Sequence, residues 1–290
     1  MISWGFSWSS GKYIADKIQP EILLFWRFFL TFTSLIPVVI YSKKSIKISR
    51  NAIKYVLLGG IILTIYNYLF FAGLKNGLAG AGGVLVTTLN PLLTYVLSSV
   101  LHRYRPGWKE ILGIALGFAG GLVMIHVWNF TYTELSSGGN IFFLLAAFFW
   151  SLLSIDGHYS GKRLSPLLFS FYVYGISSIL NLFLAVRSDL FYIFNLSLPF
   201  WLNLIYLSIV STTFGTTVYF FAASRYGSRL ASSFIFIVPL SAILGSIVFL
   251  NEKPDYIVIL GGLLALTAVY LINVRIQPIS EKSKKMIRTS

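Results

Sequence analysis

The chain of 290 residues contains no cysteine. Disulfide bonds, thiol catalysis and cysteine-based metal sites are therefore excluded. Acidic residues are scarce, with nine Asp and Glu in all, and the three histidines, His102, His126 and His158, lie far apart in the sequence. This spacing argues against a three-histidine metal site. We expect neither a metal nor a cofactor.

Recognisable catalytic motifs are missing as well. The sequence has no G-x-S-x-G and no H-E-x-x-H motif, so the common serine-hydrolase and zinc-protease arrangements are absent. The segment from Gly5 to Lys12 resembles a phosphate-binding loop. However, five residues separate Gly5 from Gly11 where four are required, and Tyr13 replaces the Ser or Thr that holds magnesium. We expect a protein that is not an enzyme and is not driven by ATP.

The composition is that of a membrane protein. Hydrophobic residues make up 56% of the chain and charged residues 11%, with a mean hydropathy of +0.78, whereas a soluble domain has about 25% charged residues. The net charge of +14 would suit nucleic acid, but its carriers lie in short loops between apolar segments, as membrane topology requires. We expect a lipid bilayer as partner and no nucleic acid. The N-terminus lacks the basic region of a removable signal peptide.

Apolar segments long enough to cross a bilayer, which takes about 20 residues, recur along the whole chain. There are ten of them, over residues 2–18, 21–41, 53–74, 78–101, 108–127, 140–160, 166–186, 199–223, 229–250 and 255–275. Proline or glycine marks most junctions, as at Pro20, Gly77 and Pro166. The pattern predicts an all-α membrane protein with ten transmembrane helices.

The basic residues predict the orientation of these helices. With both termini in the cytoplasm, seventeen of the 23 Lys and Arg residues are cytoplasmic, five are external and Arg27 lies within the second helix. The external residues are Lys12, Lys17, Lys75, Arg187 and Lys253. Because cytoplasmic loops are enriched in Lys and Arg, we expect an integral multi-pass protein of the cytoplasmic (inner) membrane with both termini cytoplasmic.

The two halves of the chain repeat one another. Leu69-Phe70-Phe71-Ala72 recurs as Tyr219-Phe220-Phe221-Ala222, Pro91 recurs as Pro239, and Trp4 recurs as Trp150. Five helices per half is an odd number, so the second half enters the membrane from the opposite side. We predict two inverted five-helix repeats, residues 1–130 and 138–276, followed by a basic cytoplasmic tail over 277–290. Inverted repeats are typical of transporters that work by alternating access.

At these positions the chain resembles the drug/metabolite transporter superfamily, specifically its EamA-type ten-helix transporters. The matching residues are Trp4-Gly5 with Lys12, Arg27-Phe28, Phe71-Ala72-Gly73-Leu74, Tyr226-Gly227, Pro239-Leu240 and Leu250-Asn251-Glu252-Lys253-Pro254. The resemblance implies a secondary transporter that exports small organic metabolites, such as amino acids or related compounds. It also implies a cavity lined by helices 1, 3, 4, 6, 8 and 9. Ser7 stands where an Asn is common and Tyr104 where a Glu often stands, so the resemblance does not extend to the specificity.

Six residues are candidates for substrate binding: Trp4, Lys12, Asn67, Asn90, Trp150 and Thr216. Lys12 is either a counter-ion for a substrate carboxylate or a side chain that reaches the membrane interface. The two tryptophans either form aromatic walls or anchor the protein at the interface. The amides are costly to leave unpaired in hydrocarbon, and the threonine either contacts substrate or joins helices.

Four further residues are candidates for conformational change and coupling. Pro91 and Pro239 each remove a backbone donor in mid-helix, which makes them either hinges or kinks that aid packing. Asp156 and His158 lie in the sixth helix, where ionisable groups are costly and usually functional. They either couple protons to transport or gate it, or they reach the interface.

Other classes remain open at this stage. A channel would need a charged filter or a pore motif, and neither is found; a membrane-embedded enzyme would need a catalytic motif that is not recognisable here. Gly113, Gly117 and Gly121 form a face of small residues that lets helices approach closely. This face would pack the two halves together or join two copies in a homo-oligomer.

Overall fold

The computed structural model of the protein describes residues 1–43, 45–77, 79–102, 106–124, 127–129, 138–241 and 256–273. Within these ranges the chain is helical and contains no β-strand, so the predicted all-α class is confirmed. The helices are α1 (Ile2–Ala15), α2 (Pro20–Tyr41), α3 (Arg50–Asn76), α4 (Ala79–His102), α5 (Trp108–Met124), α6 (Gly138–Ser160), α7 (Pro166–Leu184), α8 (Leu198–Tyr226), α9 (Ser228–Ser241) and α10 (Tyr256–Asn273). Tyr104, Glu252 and the predicted tail over 277–290 lie outside the described residues.

Six of these helices, α2, α3, α4, α6, α7 and α8, are long and apolar enough to cross a membrane. The protein is therefore an integral multi-pass membrane protein. Over the described residues the remaining four are shorter. For example, the 14 residues of α1 span about 21 Å, against about 30 Å for the hydrocarbon core. Ten spanning helices therefore remain a prediction.

The helix boundaries follow from local chemistry. Pro20 and Pro166 open α2 and α7, because the first helical position needs no N–H donor and suits the fixed φ of proline. The single residue Gly227 separates α8 from α9 and has φ +95° and ψ 149°. Only glycine adopts this conformation without strain, so the chain can turn there within one residue.

The main helix pairs are α5 with α10, α3 with α6, α2 with α7 and α4 with α6. Glycine residues allow α5 and α10 to pack closely against each other. A Cβ added at Gly120 of α5 would lie 2.7 Å from the backbone oxygen of Gly261 in α10. Gly113 also faces α10, whereas Gly117 and Gly121 face α9 and α4. These glycines of α5 are used in contacts within the chain.

Two helices contain segments of different helical geometry. The middle of α8, Tyr206–Thr216, is a π-helix, a rare form with hydrogen bonds from residue i to i+5 that is frequent at functional sites. In α9, Phe234–Phe236 form a 3₁₀ turn, directly before the segment that contains Pro239. Both irregular segments belong to the second half of the chain.

Candidate functional site

Seven helices contribute side chains to one cavity. They are α1, α2, α3, α4, α6, α8 and α9. About 60 Å³ of the cavity is open to the centre of a water-sized sphere, which corresponds to roughly four to six water molecules at about 10–15 Å³ each. Aromatic and apolar residues dominate the lining, and a few polar groups converge on it. This combination is typical of small-molecule sites.

One wall of the cavity is aromatic. The ring centroids of Trp4 and Trp150 are 5.0 Å apart with an interplanar angle of 89°, and those of Tyr66 and Trp150 are 4.7 Å apart. Aromatic contacts of this kind contribute about 0.5–1.5 kcal/mol each beyond burial. Trp4 Nε1 donates to the carbonyl oxygen of Ser211 at 3.1 Å, which fixes the indole ring. We call Trp4, Tyr66 and Trp150 the aromatic wall.

Arg27 of α2 also belongs to the cavity lining. Its guanidinium is buried and donates to Asn67 Oδ1 at 2.8 Å and to Thr212 Oγ1 at 3.0 Å. The ring of Phe71 lies 5.5 Å from its Cζ atom, within cation–π range. Arg27 therefore joins α2 to α3 and α8 at the cavity. The cavity lining therefore includes helix 2, in addition to the six helices that the family resemblance implied.

Hydroxyl groups of α8 form the polar side of the cavity. Ser211, Thr212 and Thr216 line it, and Ser7 of α1 donates to Ser211 Oγ at 2.7 Å. The hydroxyl of Thr212 donates to the carbonyl of Leu207, five residues back, as the wider turn of a π-helix allows. The π-helix thus determines where these hydroxyls lie around α8.

Asn90 and Pro91 bring α4 to the cavity. Asn90 is fully buried, and its Nδ2 donates to Ser151 Oγ at 3.2 Å and to the carbonyl of Ala147 at 3.3 Å. Its Oδ1 has no hydrogen-bond partner in the described structure. Pro91 lacks the N–H that would otherwise bond to the carbonyl of Thr87, four residues back. Thr87 itself lines the cavity.

The second mid-helix proline shows the same relation. Pro239 in α9 cannot donate to the carbonyl of Ile235, and Ile235 also lines the cavity. The 3₁₀ turn Phe234–Phe236 surrounds this carbonyl. Each of the two prolines therefore removes a backbone hydrogen bond at a residue of the cavity lining.

Lys12 does not line the cavity. Its Nζ donates to the carbonyl oxygens of Leu74 at 2.5 Å and Gly77 at 3.4 Å, and lies 3.9 Å from Asp16. The carbonyls at the end of α3 lack partners within that helix, and a cation there is favourable. The structure therefore places Lys12 at the end of α3, away from the cavity. The other five predicted binding residues line the cavity together: Trp4, Asn67, Asn90, Trp150 and Thr216. Their part in binding remains a prediction.

Asp156 and His158 also lie outside the cavity lining. Asp156 is 4% exposed, and neither carboxyl oxygen has a hydrogen-bond partner in the described structure. Its Oδ2 lies 2.9 Å from the point where a Cβ on Gly59 would be, close to Phe169. His158 Nδ1 lies 3.0 Å from the carbonyl oxygen of Ala223. Asp156 is thus buried among α3, α6 and α7 and does not reach an interface.

Sequence reasoning did not place Arg27 in the cavity. Seven positions separate it from the start of α2, and a long side chain can reach the interface from there. The available signal was helical spacing. Leu23, Leu24, Phe28 and Thr31 are all fully buried, and Arg27 lies on the same stripe of the helix.

Fold and site together define a class: a polytopic α-helical membrane protein with a small cavity between its helices that aromatic, apolar and a few polar side chains line. The profile of the EamA-like transporter family matches residues 1–126 and 137–274, and the chain belongs to this family. The protein is a membrane transporter, which agrees with the family resemblance inferred from the sequence.

Several relatives are similar over most of their length. The uncharacterized transporter YyaM of Bacillus subtilis is 26% identical, over 81% of this chain and 78% of the relative. A probable amino-acid metabolite efflux pump of Salmonella typhimurium is 23% identical, over 93% of this chain and 91% of the relative. A solved crystal structure with 18% identity superimposes with a TM-score of 0.74 over 94% of this chain and 96% of that chain, which shows a shared fold.

Proposed function

We propose that the protein is a secondary transporter that exports small organic metabolites, such as amino acids or related compounds, by alternating access. The cavity carries the proposal, because α1, α3 and α4 of one half line it together with α6, α8 and α9 of the other. A site between two related halves opens to either side as the halves move. The name of the Salmonella relative supports this substrate class and direction.

The helix packing supports two inverted repeats, residues 1–130 and 138–276. If each helix of the first half corresponds to the helix five places later, α2 with α7, α4 with α9 and α5 with α10 are contacts between equivalent helices. The contact of α3 with α6 then corresponds to that of α8 with α1, and α3 with α7 corresponds to α8 with α2. A pseudo-twofold axis requires this correspondence. The two segments matched by the family profile divide the chain in the same way.

The contact between Trp4 and Trp150 supports a site on that axis. These residues are equivalent in the repeat, and their rings are 5.0 Å apart. Two equivalent residues can touch only close to the axis that relates them. The aromatic wall would therefore lie where the two halves move against each other.

Pro91 and Pro239 are the proposed hinges of this motion. Each removes one backbone hydrogen bond to a residue of the cavity lining, and inside a membrane such a carbonyl needs another partner from the protein or water. A helix that lacks one hydrogen bond bends more readily at that point. Both halves would thus bend beside the substrate.

The charge distribution supports the proposed topology in the cytoplasmic (inner) membrane. In the predicted topology seventeen of the 23 basic residues fall on the side of the termini, and the positive-inside rule favours the cytoplasm for that side. The substrate is a small molecule, and the bilayer surrounds the helices.

Asp156 and His158 are the proposed coupling groups. Asp156 is the stronger of the two, since its buried carboxyl oxygens have no hydrogen-bond partner in the described structure. A carboxyl group in such surroundings is costly to charge. It would take up and release a proton as motion of α3, α6 and α7 exposes and buries it.

Counterflow in proteoliposomes tests the transport proposal. Vesicles loaded with one unlabelled amino acid are diluted into a trace of the same labelled compound, for each standard amino acid and for simple organic acids in turn. We expect transient, saturable accumulation of label that protein-free vesicles do not show. Linear, non-saturating flux would instead indicate a channel, and chemical conversion of the label would indicate an enzyme.

A further inference from the structure

Arg27 is a buried cation in the cavity lining, and it has no anionic partner among the described residues. Its side chain is 7% exposed, and the described residues that line the cavity include no Asp or Glu. In the described part of the chain Arg27 makes no ion pair. Neutral oxygens of Asn67 and Thr212 hold the guanidinium, and its Nε has no hydrogen-bond partner there.

Buried charges are usually paired, because an uncompensated one is costly in a low-dielectric interior. The bonds from Asn67 and Thr212 orient the guanidinium but do not neutralise it. A guanidinium has five N–H donors in a planar fork that matches the two oxygens of a carboxylate. We propose that Arg27 binds the carboxylate of the substrate, which then supplies the missing negative charge.

The remaining lining indicates the rest of the substrate. The aromatic wall suits a substrate whose remaining part is apolar or aromatic. Asn90 Oδ1 is buried at the cavity without a hydrogen-bond partner in the described structure, so it offers one acceptor. The inference rests on the proposed transport function and narrows its substrates to small organic acids with an apolar body, amino acids of that kind included.

A purely structural role is the competing explanation. Arg27 would then only tie α2 to α3 and α8 through its bonds to Asn67 and Thr212. Its removal would lower stability, but it would not change how the protein distinguishes an acid from a neutral compound of the same shape. The charge preference of binding therefore separates the two roles.

Binding of phenylacetate and of its neutral isostere phenylacetamide to the purified protein tests the proposal, with quenching of tryptophan fluorescence as the signal. We expect the wild-type protein to bind the acid about tenfold more tightly than the amide, or better, because a charged hydrogen bond is lost with the amide. In Arg27→Gln this preference should disappear, and in Arg27→Lys it should be reduced but present. The ratio is measured within each variant, so a smaller folded fraction does not alter it.

Lys12→Gln is the matched control, because it removes a cation that lies outside the cavity. It should retain the wild-type preference for the acid. An unchanged preference in Arg27→Gln overturns the inference, as does a wild-type protein that binds both compounds equally or neither at millimolar concentration. A wild-type protein that prefers the acid but shows no counterflow would contradict the transport proposal and leave the role of Arg27 intact.

Discussion

The substitution Asp156→Asn separates proton coupling from substrate movement. It removes the proton-carrying carboxyl and keeps the shape of a side chain that is buried beside Gly59 and Phe169. Because neither carboxyl oxygen accepts a hydrogen bond from the described residues, the amide loses none of the existing contacts. We expect the free energy of unfolding to change by less than about 1 kcal/mol.

The expected effect on transport is large. If Asp156 carries one proton in each cycle, a pH difference of one unit across the membrane supplies about 1.4 kcal/mol, which is about tenfold accumulation of substrate. Without a titrating group at this position the gradient no longer drives accumulation, and the concentration ratio should fall to about one. Counterflow should remain, because exchange of substrate for substrate needs no net movement of protons.

The assay uses proteoliposomes with an imposed pH difference and a substrate identified by counterflow. Asp189→Asn serves as the matched control, since Asp189 is an exposed acid that caps a 3₁₀ turn. The control should accumulate substrate as the wild type does. An Asp156→Asn protein that still concentrates substrate about tenfold per pH unit would remove Asp156 from coupling and leave His158 as the candidate.

Two further predictions concern the backbone. Pro91→Ala and Pro239→Ala should each reduce counterflow more than the yield of folded protein. Pro37→Ala, at an exposed proline near the end of α2, should leave transport unchanged. Wild-type flux in the first two variants would refute the hinge role. Gly120→Ala should lower stability by about 1–3 kcal/mol, because the new Cβ would lie 2.7 Å from a backbone oxygen of α10. At Gly107 an added Cβ would contact Glu110 Oε2 at 3.8 Å in the described structure, so Gly107→Ala should show no shift in apparent Tm under the same conditions.

Hydropathy located the helices well and their ends less well. The predicted segment 21–41 corresponds to Pro20–Tyr41, since a proline fixes the start of that helix. The predicted segment 53–74 is in fact Arg50–Asn76, because polar residues extend the helix beyond its apolar stretch. The π-helix in α8 could not be predicted. Hydropathy does not distinguish the hydrogen bonds of an α-helix, which join residues four apart, from those of a π-helix, which join residues five apart.

The site was predictable where the repeat pointed to it. Trp4 and Trp150 were chosen because the two halves share them, and the structure brings them into contact. The sequence was less informative about which basic residue lies at the cavity. Lys12 and Arg27 both lie in apolar helices near an end, and the sequence alone does not say that the first bonds to the end of α3 while the second faces the cavity. Which of the two cations faces the cavity depends on the tertiary packing of the helices.

The π-helix of α8 has no counterpart in α3, which is α-helical from Arg50 to Asn76. In a carrier with two identical inverted halves, the inward-facing and outward-facing states would be related by a twofold rotation and would have equal free energy. An irregular helix in one half removes that equality. A difference of about 1.4 kcal/mol already gives a tenfold excess of one state at rest. The side of the membrane to which the empty carrier opens at rest would then depend on the π-helix Tyr206–Thr216, before any gradient acts on the protein.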